Sequence, residues 1–283
     1  MPRRRLPYLP NWLAVSTVLT LGAGLAATAI LATGVLRLEQ DKQALAFEQQ
    51  AGIRTGAIRR GLDQAVELAA VTNALFQSVS PLTREQFHDF ATPLLMRNRF
   101  VKSFSFHCRV PHAGRADFEA DLARVKPGAT IMEMRQGRLQ TALARDEYTP
   151  VTLLEPLAGN EIAFGLDAGR STALQLALDR AIDNGRPAAT RLLDLSDGPR
   201  PQRGFLLVLP VYRHGADLAT PASRREAMIG NSAVGMAAVA LVELILAGQG
   251  TDDGLQLTVA SGASDVRMEQ IFPRTPPAAT TPS

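Results

Sequence analysis

The sequence predicts an α+β fold that is anchored in a membrane, and three observations support this prediction. Residues 12–36 form an uncharged apolar segment that is long enough to span a bilayer. Apolar residues then recur with helical spacing over residues 37–80, which indicates a long stalk helix. From about residue 100 to residue 212, strand, turn and helix patterns alternate with short links. The chain therefore divides into an anchor, a stalk helix and a folded α+β region.

The composition fits a folded protein and excludes several classes of function. Hydrophobic residues make up 46% of the 283 residues and charged residues 20%, with a net charge of +3. This excess is small and includes Arg3, Arg4 and Arg5, and no basic stripe with interleaved aromatic residues follows, so we predict no nucleic-acid partner. Cys108 is the only cysteine, which excludes an intrachain disulfide and a thiolate metal cluster.

The apolar segment 12–36 is predicted to be a transmembrane helix. At about 1.5 Å per residue it covers the roughly 30 Å hydrocarbon core of a bilayer. A cleaved signal peptide is the alternative, because small residues near 26–32 are typical of a cleavage site. The run is longer than the apolar region of about 7 to 15 residues found in signal peptides, which favours the anchor.

Charges on the two sides of the span predict its orientation. Three arginines precede it, with Tyr8 and Trp12 at the expected interface, whereas residues 37–42 carry charges of both signs. The positive-inside rule places residues 1–11 in the cytoplasm and the remaining chain outside. We therefore expect a single-pass protein of the inner (plasma) membrane with a periplasmic or extracellular domain.

The stalk helix, residues 37–80, needs a partner for its apolar stripe, either its own domain or a second copy of the chain. We expect a homodimer formed through this helix. Ser80 and Pro81 are predicted to end it. The stripe consists of apolar residues at three- and four-residue steps: Ile58, Leu62, Ala65, Val66, Ala69, Phe76 and Val79.

Further elements follow from local patterns. Thr83 is predicted to begin a helix, because acidic and amide side chains follow in its first turn. Alternating apolar and polar residues over Phe100–Val110 predict a half-buried strand. A short helix is expected over Gly114–Val125. Another is expected over Ser171–Asn184, with Ser171 as its cap and Gly185 as its stop.

Two dense segments are predicted to form the centre of the folded region. Residues 146–167 contain short apolar runs separated by proline and a Gly-Asn pair, which indicates a strand, a turn and a second strand. Residues 204–212 are predicted to form a buried strand that ends at Pro210, because proline cannot donate to a ladder.

The remaining chain, residues 213–272, is predicted to form a second, smaller unit. We expect a strand over 233–242, a helical turn over 243–247 and another strand over 254–260. Residues 273–283 are rich in proline, threonine and alanine and are predicted to be a disordered tail.

The motifs of common enzymes are missing from the sequence. There is no Gly-x-Ser-x-Gly elbow and no phosphate-binding Gly-x-x-x-x-Gly-Lys loop. The four histidines lack metal-ligand spacing, so we expect them to be solvated or to make single hydrogen bonds; they are His88, His107, His112 and His214. We therefore predict no catalysis, no metal and no cofactor.

One acidic pair is a candidate for ligand binding. Asp146 and Glu147 lie next to Tyr148, and a buried carboxylate that faces an apolar pocket would accept charge-assisted hydrogen bonds from a ligand amine. The alternative is a turn in which both carboxylates are merely exposed. Asp167 is expected to end a strand and to order the loop before the next helix.

At this point the sequence resembles the CHASE family, the extracytoplasmic sensor domains of plant cytokinin receptors and of many bacterial histidine kinases and diguanylate cyclases. The resemblance covers roughly Phe100–Leu257. It rests on several marks in order: Arg109-Val110 with Phe118-Glu119, Asp146-Glu147-Tyr148-Thr149-Pro150-Val151, Glu155-Pro156, Gly165-Leu166-Asp167, Ala181 to Gly185 with Thr190, and Gly204 to Tyr212.

The resemblance implies a fold and a function. It implies a stalk helix followed by two tandem PAS-like domains with antiparallel sheets, a membrane-distal one over residues 81–212 and a membrane-proximal one over 213–272. The distal domain would bind a small molecule of adenine type or another small organic ligand, and the stalk would transmit the signal. A typical member also carries a second span and a cytoplasmic enzyme module, and neither follows in residues 1–283. We therefore expect either a truncated or degenerate copy or output through a separate signalling subunit.

The resemblance also points to a set of ligand-binding residues. The acidic residue of the family motif corresponds to Asp146, and the expected contacts on nearby strands and turns are Leu166, Thr190, Tyr148 and Phe205. The alternative function is a membrane-anchored periplasmic interaction or scaffold protein without a small ligand, in which the walls around Leu166 and Phe205 would close on each other.

Overall fold

The computed structural model describes residues 11–79, 81–195, 202–247, 257–261 and 267–272. The chain consists of two compact units, Met1–Gly56 and Ala57–Ser283. The described helices are α1 Asn11–Ser78, α2 Arg84–Arg97, α3 Arg115–Val125, α4 Thr172–Asn184, α5 Pro221–Ala227 and α6 Ala238–Leu246. The described strands are β1 Val101–Cys108, β2 Val110–Pro111, β3 Met132–Arg135, β4 Arg138–Thr141, β5 Glu147–Tyr148, β6 Val151–Glu155, β7 Ala188–Ala189, β8 Leu193–Asp194, β9 Arg203–Tyr212, β10 Met228–Ala237, β11 Leu257–Ser261 and β12 Arg267–Phe272.

The first unit contains the apolar part of helix α1. Within the described residues, α1 is long and apolar enough, by length and composition, to cross a membrane. Its large apolar side chains are exposed, including Leu25, Ile30 and Leu31. This agrees with the predicted anchor over residues 12–36. The predicted stalk over 37–80 is helical up to Ser78.

The second unit is built on a six-stranded antiparallel sheet. Its strands follow the order β6-β1-β10-β9-β7, and β8 also pairs with β9. The register pairs Phe104 of β1 with Val234 of β10, and Val234 with Leu207 of β9. The first and last strands of the sheet in sequence order, β1 and β10, therefore lie side by side at its centre. β6 lies next to β1, and the long strand β9 lies next to β10.

The position of β10 changes the predicted organisation of the chain. Residues 213–272 are predicted from the sequence to form a separate unit, but Met228–Ala237 forms ladders with both β1 and β9. The sheet therefore extends past the expected boundary at residue 212. The structure is a mixed fold of helices and antiparallel sheet, and its division into two tandem PAS-like domains remains a prediction.

One face of the sheet packs against α1 and α2, and we call it the α1 face. Alternate residues of the strands point to this side, because successive side chains of a strand point to opposite faces. The buried cluster on this face contains Phe104, Leu153, Leu207, Val211, Val234 and Met236 of the strands with Ala65, Ala69 and Phe76 of α1 and Phe87 and Ala91 of α2. The apolar stripe predicted for the stalk is thus partly buried by the chain's own domain.

The opposite face packs against α4, and we call it the α4 face. Leu174, Ala177, Leu178 and Ile182 recur at three- and four-residue steps along α4. They pack with a second buried cluster from the sheet and the loop before α4: Val151, Leu154, Phe164, Ala168, Val208 and Ala233.

The helix ends confirm the predictions made from capping patterns. Thr83 caps α2 in a capping box, in which its hydroxyl accepts from the Gln86 backbone and the Gln86 side chain accepts from the Thr83 backbone. Ser171 accepts a hydrogen bond from the Leu174 backbone at the start of α4. Gly185 ends α4 in the left-handed conformation, with φ of 64°.

The predicted end of a strand at Pro210 is wrong, because β9 continues to Tyr212. Within the described residues, β7 and β8 pair with β9 only up to Val208, so Pro210 has a paired neighbour on the β10 side alone. A strand tolerates proline where one of its sides is an edge. The Pro210 carbonyl also accepts a hydrogen bond from the Asn73 side chain, at 3.3 Å.

Two other strand predictions need correction. The predicted strand over 233–242 is a strand only to Ala237, and α6 replaces its second half. Periodicity does not separate the two, since this run is apolar at nearly every position. The predicted second strand before Asp167 is reduced to isolated bridges at Leu166 and Asp167. Within 254–260 the structure shows strand from Leu257, and the predicted tail 273–283 lies outside the described residues.

The close approach of β1 and β10 at Gly230 gives a test of the sheet. A Cβ at this position would overlap the His107 carbonyl oxygen and approach the Phe106 ring. We expect Gly230→Ala to lower the free energy of unfolding by about 2–3 kcal/mol, measured by urea denaturation. The control is Gly52→Ala in α1, where nothing lies within 4 Å and the midpoint should stay or rise. An unchanged midpoint for Gly230→Ala would contradict this pairing.

Candidate ligand-binding site

A group of polar side chains lies within the mostly apolar α4 face of the sheet. Ser105 and His107 alternate with Phe104 and Phe106 on β1, so they point away from the α1 face. Asn231 is paired with His107 across the β1–β10 ladder. Ser105, His107 and Asn231 are all buried, and Asn231 has no exposed surface.

These three side chains form a directional chain of hydrogen bonds. The Asn231 amide nitrogen lies 3.0 Å from His107 Nδ1, and His107 Nε2 lies 3.0 Å from the Ser105 hydroxyl. The Ser105 hydroxyl donates to the Ala233 carbonyl at 3.3 Å. His107 therefore accepts at Nδ1 and carries its proton on Nε2, from which it donates to Ser105. Burial lowers the pKa of His107 to about 4, which keeps the ring neutral at physiological pH.

Two buried polar atoms on this face of the sheet have no hydrogen-bond partner within the described part of the protein. They are Asn231 Oδ1 and the Tyr212 hydroxyl. Tyr212 follows Pro210 by two residues on β9, and Pro210 is paired with Asn231, so both side chains belong to the α4 face. Burial raises the pKa of Tyr212, with the Arg224 charge acting in the opposite direction. An unsatisfied buried polar group costs about 1–3 kcal/mol and calls for an explanation.

The other side of the same strands is bonded to α1. The Ser232 hydroxyl donates to the Asn73 side-chain oxygen at 2.8 Å, and the Asn73 amide donates to the Pro210 carbonyl. Asn73 is buried and belongs to the part of α1 that packs on the sheet. One side chain of the stalk helix is thus hydrogen-bonded to β9 and β10, next to the unpartnered atoms on the opposite face.

A second polar group organises the stretch 145–149. The Arg145 guanidinium bridges two buried carboxylates, since it donates to Asp167 at 2.7 Å and also to Glu133. Asp167 accepts further hydrogen bonds from the Thr149 and Gly169 backbone. The hydrogen bond from Arg145 is the main reason why the pKa of Glu133 lies below its usual value. The prediction that Asp167 orders the loop before the next helix is confirmed.

Tyr148 lies at the centre of the same region and is fully buried. Its hydroxyl accepts hydrogen bonds from the Arg115 side chain and the Arg145 backbone, each at 3.0 Å. This leaves its proton for His112 Nδ1 at 3.1 Å. The Arg115 and Arg145 cations also lie over the ring, at 5.0 and 5.6 Å from its centroid. The hydroxyl of Tyr148 is therefore saturated by the protein.

The remaining residues of the expected ligand-binding set lie in different surroundings. Asp146 is exposed, and its backbone carbonyl accepts from the His112 backbone. Leu166 is half-buried and forms a bridge with Met132. The Thr190 hydroxyl accepts from the Leu206 backbone and donates to the Arg191 carbonyl.

Phe205 packs on the cluster of the α1 face, whereas its neighbour Leu206 packs on that of the α4 face. In this conformation the structure therefore does not bring the five expected residues together around one cavity. Of the acidic pair, Glu147 is ion-paired with Arg109 at the surface, which matches the exposed alternative for that residue. The role of all five in ligand binding stays a prediction.

Sequence reasoning missed the polar residues of the α4 face. The expectation of a solvated or singly bonded histidine is wrong for His107, because the ring is buried and both of its nitrogens are hydrogen-bonded. The alternation over β1 was a usable signal, since it placed Ser105 and His107 on the same side. Asn231 was not detectable in this way, because its partner lies 124 residues earlier in the chain. Within the described ranges, no three histidine, cysteine or acidic residues are arranged to hold a metal ion.

Comparison with known protein families identifies the folded region that follows α1. The family model of the CHASE domain matches residues 80–272. The chain belongs to the CHASE family. CHASE is an extracellular sensory domain and not a catalytic one, and together with the apolar part of α1 it is consistent with anchoring in a membrane. A search of curated proteins found no match.

Arg145 provides a test of the polar group around Asp167. Arg145→Met leaves the buried carboxylates of Glu133 and Asp167 without their shared cation, so we expect a loss of about 3 kcal/mol of unfolding free energy at pH 7. The control is Arg124→Met, which removes an exposed ion pair with Asp121 and should cost less than about 1 kcal/mol. Equal losses in the two variants, measured by urea denaturation, would contradict the bridging role of Arg145.

The buried His107 predicts a pH dependence of stability. Its pKa is about 4 in the folded chain and about 6.5 when unfolded, so the unfolded state binds a proton first as the pH falls. This contribution is complete above pH 6.5 and is lost towards pH 4, which removes up to about 3 kcal/mol. His107→Gln should flatten the decline between pH 6.5 and 4 in denaturation curves, whereas His214→Gln, at an exposed loop position, should not. Identical curves for the wild type and His107→Gln would disprove this assignment.

Proposed function

We propose that the chain is a membrane-anchored sensor input domain that binds a small organic molecule outside the inner membrane. In this proposal residues 1–11 lie in the cytoplasm, and the folded domain lies in the periplasm or extracellular space. Membership in the CHASE family and the apolar segment of α1 support it. Ligand binding would change the sheet, and α1 would transmit this change to the span and then to a separate signalling subunit.

The observation that carries this proposal is the buried hydrogen bonding of Asn73. Its side chain bonds to Pro210 of β9 and to Ser232 of β10, and it belongs to the helix that also contains the candidate span. A ligand that changed the spacing or twist of these two strands would alter hydrogen bonds made by α1. The resulting shift between two states cannot exceed the difference in the ligand's affinity for them.

The residues expected from the resemblance remain our proposal for direct ligand contacts, with Asp146 first. Its carboxylate is exposed beside a motif that Arg145, Glu133 and Asp167 hold in place. An exposed carboxylate at the end of an ordered segment is accessible to an amine or ring nitrogen of an adenine-type or other small molecule. Leu166, Thr190 and Tyr148 would contribute after a rearrangement of the loops between them, whereas a contribution from Phe205, which packs on the α1 face, would require a change in β9 itself.

We also propose a homodimer formed through the stalk. Residues 37–56 of α1 expose several large apolar side chains within their own unit, including Leu38, Leu45, Phe47 and Ile53. A second copy of the chain would cover such a surface. No observation favours the scaffold alternative over the sensor.

A ligand screen on the full chain in lipid nanodiscs tests the sensor proposal. Purines, amino acids and small carboxylic acids are added in a thermal-shift assay, and we expect at least one compound to raise Tm in a concentration-dependent manner. Asp146→Ala should weaken the affinity for that compound by about 10- to 150-fold in calorimetry, equivalent to about 1.5–3 kcal/mol.

Asp121→Ala is the matched control, because Asp121 is also an exposed carboxylate but lies on α3. It should leave the affinity unchanged. A screen without any stabilising compound would argue against a small-molecule sensor. An unchanged affinity in Asp146→Ala would remove this residue from the site and leave the sensor proposal in place.

A further inference from the structure

We infer that Asn231 and Tyr212 form a ligand subsite on the α4 face for a small neutral molecule that carries a hydrogen-bond donor beside an acceptor, such as a carboxamide. This inference rests on the proposed sensor function and names a place and a ligand class for it. Neither residue belongs to the set expected from the family motif.

The first argument is that the two unpartnered atoms belong to neighbouring positions on one face of the sheet. Asn231 is paired with Pro210, and Tyr212 is the next residue of β9 on the same face. Diagonal neighbours of this kind in an antiparallel sheet lie about 7 Å apart at their backbones. They are the buried side-chain atoms without a hydrogen-bond partner among the described residues. Two such atoms at adjacent positions on one face indicate a shared occupant.

The second argument concerns what each atom requires. The orientation of the Asn231 amide is set by His107, because Nδ1 accepts from the amide nitrogen while Nε2 donates to Ser105. Asn231 therefore presents its oxygen and needs a donor. The Tyr212 hydroxyl is able to donate to a carbonyl oxygen. A primary amide or lactam, with an N–H group next to a carbonyl group, satisfies both atoms at once.

The third argument concerns charge. A carboxylate of the same shape would place negative charge against the Asn231 oxygen, and it would lose its hydration without gaining a donor there. Burial raises the pKa of the Tyr212 hydroxyl, and the positive charge of Arg224 acts to lower it. The Arg224 guanidinium, however, donates hydrogen bonds to the Ile182, Asp183 and Thr220 carbonyls. These carbonyls hold it at the ends of α4 and α5. The surroundings of Asn231 thus favour a neutral molecule.

The position of the subsite connects it to the stalk helix. Asn231 is followed by Ser232, whose hydroxyl is bonded to Asn73, and Pro210 is bonded to the same Asn73 from the neighbouring strand. An occupant that bonds to Asn231 and Tyr212 therefore acts on the two strand segments that α1 contacts from behind. Occupancy of the subsite would therefore change the hydrogen bonds that Asn73 of α1 makes with these strands.

Tyr212→Phe provides a clean test, because it removes one unpartnered hydroxyl without changing the packing volume of the ring. In the absence of ligand we expect this variant to raise Tm by roughly 2–4 °C, since a buried group without a partner is removed. Tyr148→Phe is the matched control. Its hydroxyl makes three hydrogen bonds, so Tm should fall.

Binding is measured on the full chain in nanodiscs with benzamide as the neutral probe and benzoate as its charged counterpart. We expect benzamide to bind in the millimolar range or better and benzoate to bind at least tenfold more weakly. Tyr212→Phe should weaken benzamide at least tenfold. Asn231→Leu, of similar volume, should do the same if it folds, and Tyr212→Phe keeps the test decisive if it does not.

Three outcomes would overturn the inference. The first is that benzamide does not bind at concentrations up to about 10 mM. The second is that benzoate binds as well as benzamide, and the third is that Tyr212→Phe lowers Tm. The last result would show that an internal water satisfies the hydroxyl. If a compound from the wider screen binds with an affinity that Tyr212→Phe and Asn231→Leu leave unchanged, the subsite is wrong while the sensor function stands. If no compound of any class binds, both fail.

Discussion

The structure depends on the pairing of β10 between β1 and β9. This ladder joins the beginning and the end of the sheet, and it creates two faces that are covered by different helices. On one face α1 buries its apolar stripe, and on the other α4 does the same. Successive residues of a strand point to opposite faces of the sheet. A side chain that changes its hydrogen-bond partners on the α4 face is therefore adjacent in sequence to residues that contact α1.

Most of the buried polar groups are satisfied, and this makes the exceptions informative. The hydroxyl of Tyr148 has three partners, and the carboxylate of Asp167 has three as well. Asn231 and Tyr212 carry the unpaired atoms within the described residues. A domain that tolerates an energetic cost in its core at neighbouring positions is consistent with a site that is completed by another molecule.

The stretch marked by the family motif has a structural explanation of its own. Arg145 ties two carboxylates together, and Tyr148 is held by two arginines and a histidine, so the chain between them is ordered from both sides. Asp146 lies between these anchors and points its side chain outward. The order of the motif therefore comes from its neighbours, and this leaves Asp146 accessible for a role in binding.

The sequence by itself determined the local features of this protein: the apolar segment, the long helix, the caps at Thr83 and Ser171 and the alternation along β1. These depend on residues close together in the chain, so their physical causes are visible in a short window. The tertiary structure alone decided that β10 joins β1, and hence that Asn231 meets His107. Sheet register is set by pairing over more than a hundred residues, which no local pattern encodes, and the unpartnered atoms of the α4 face exist only as a result of that pairing.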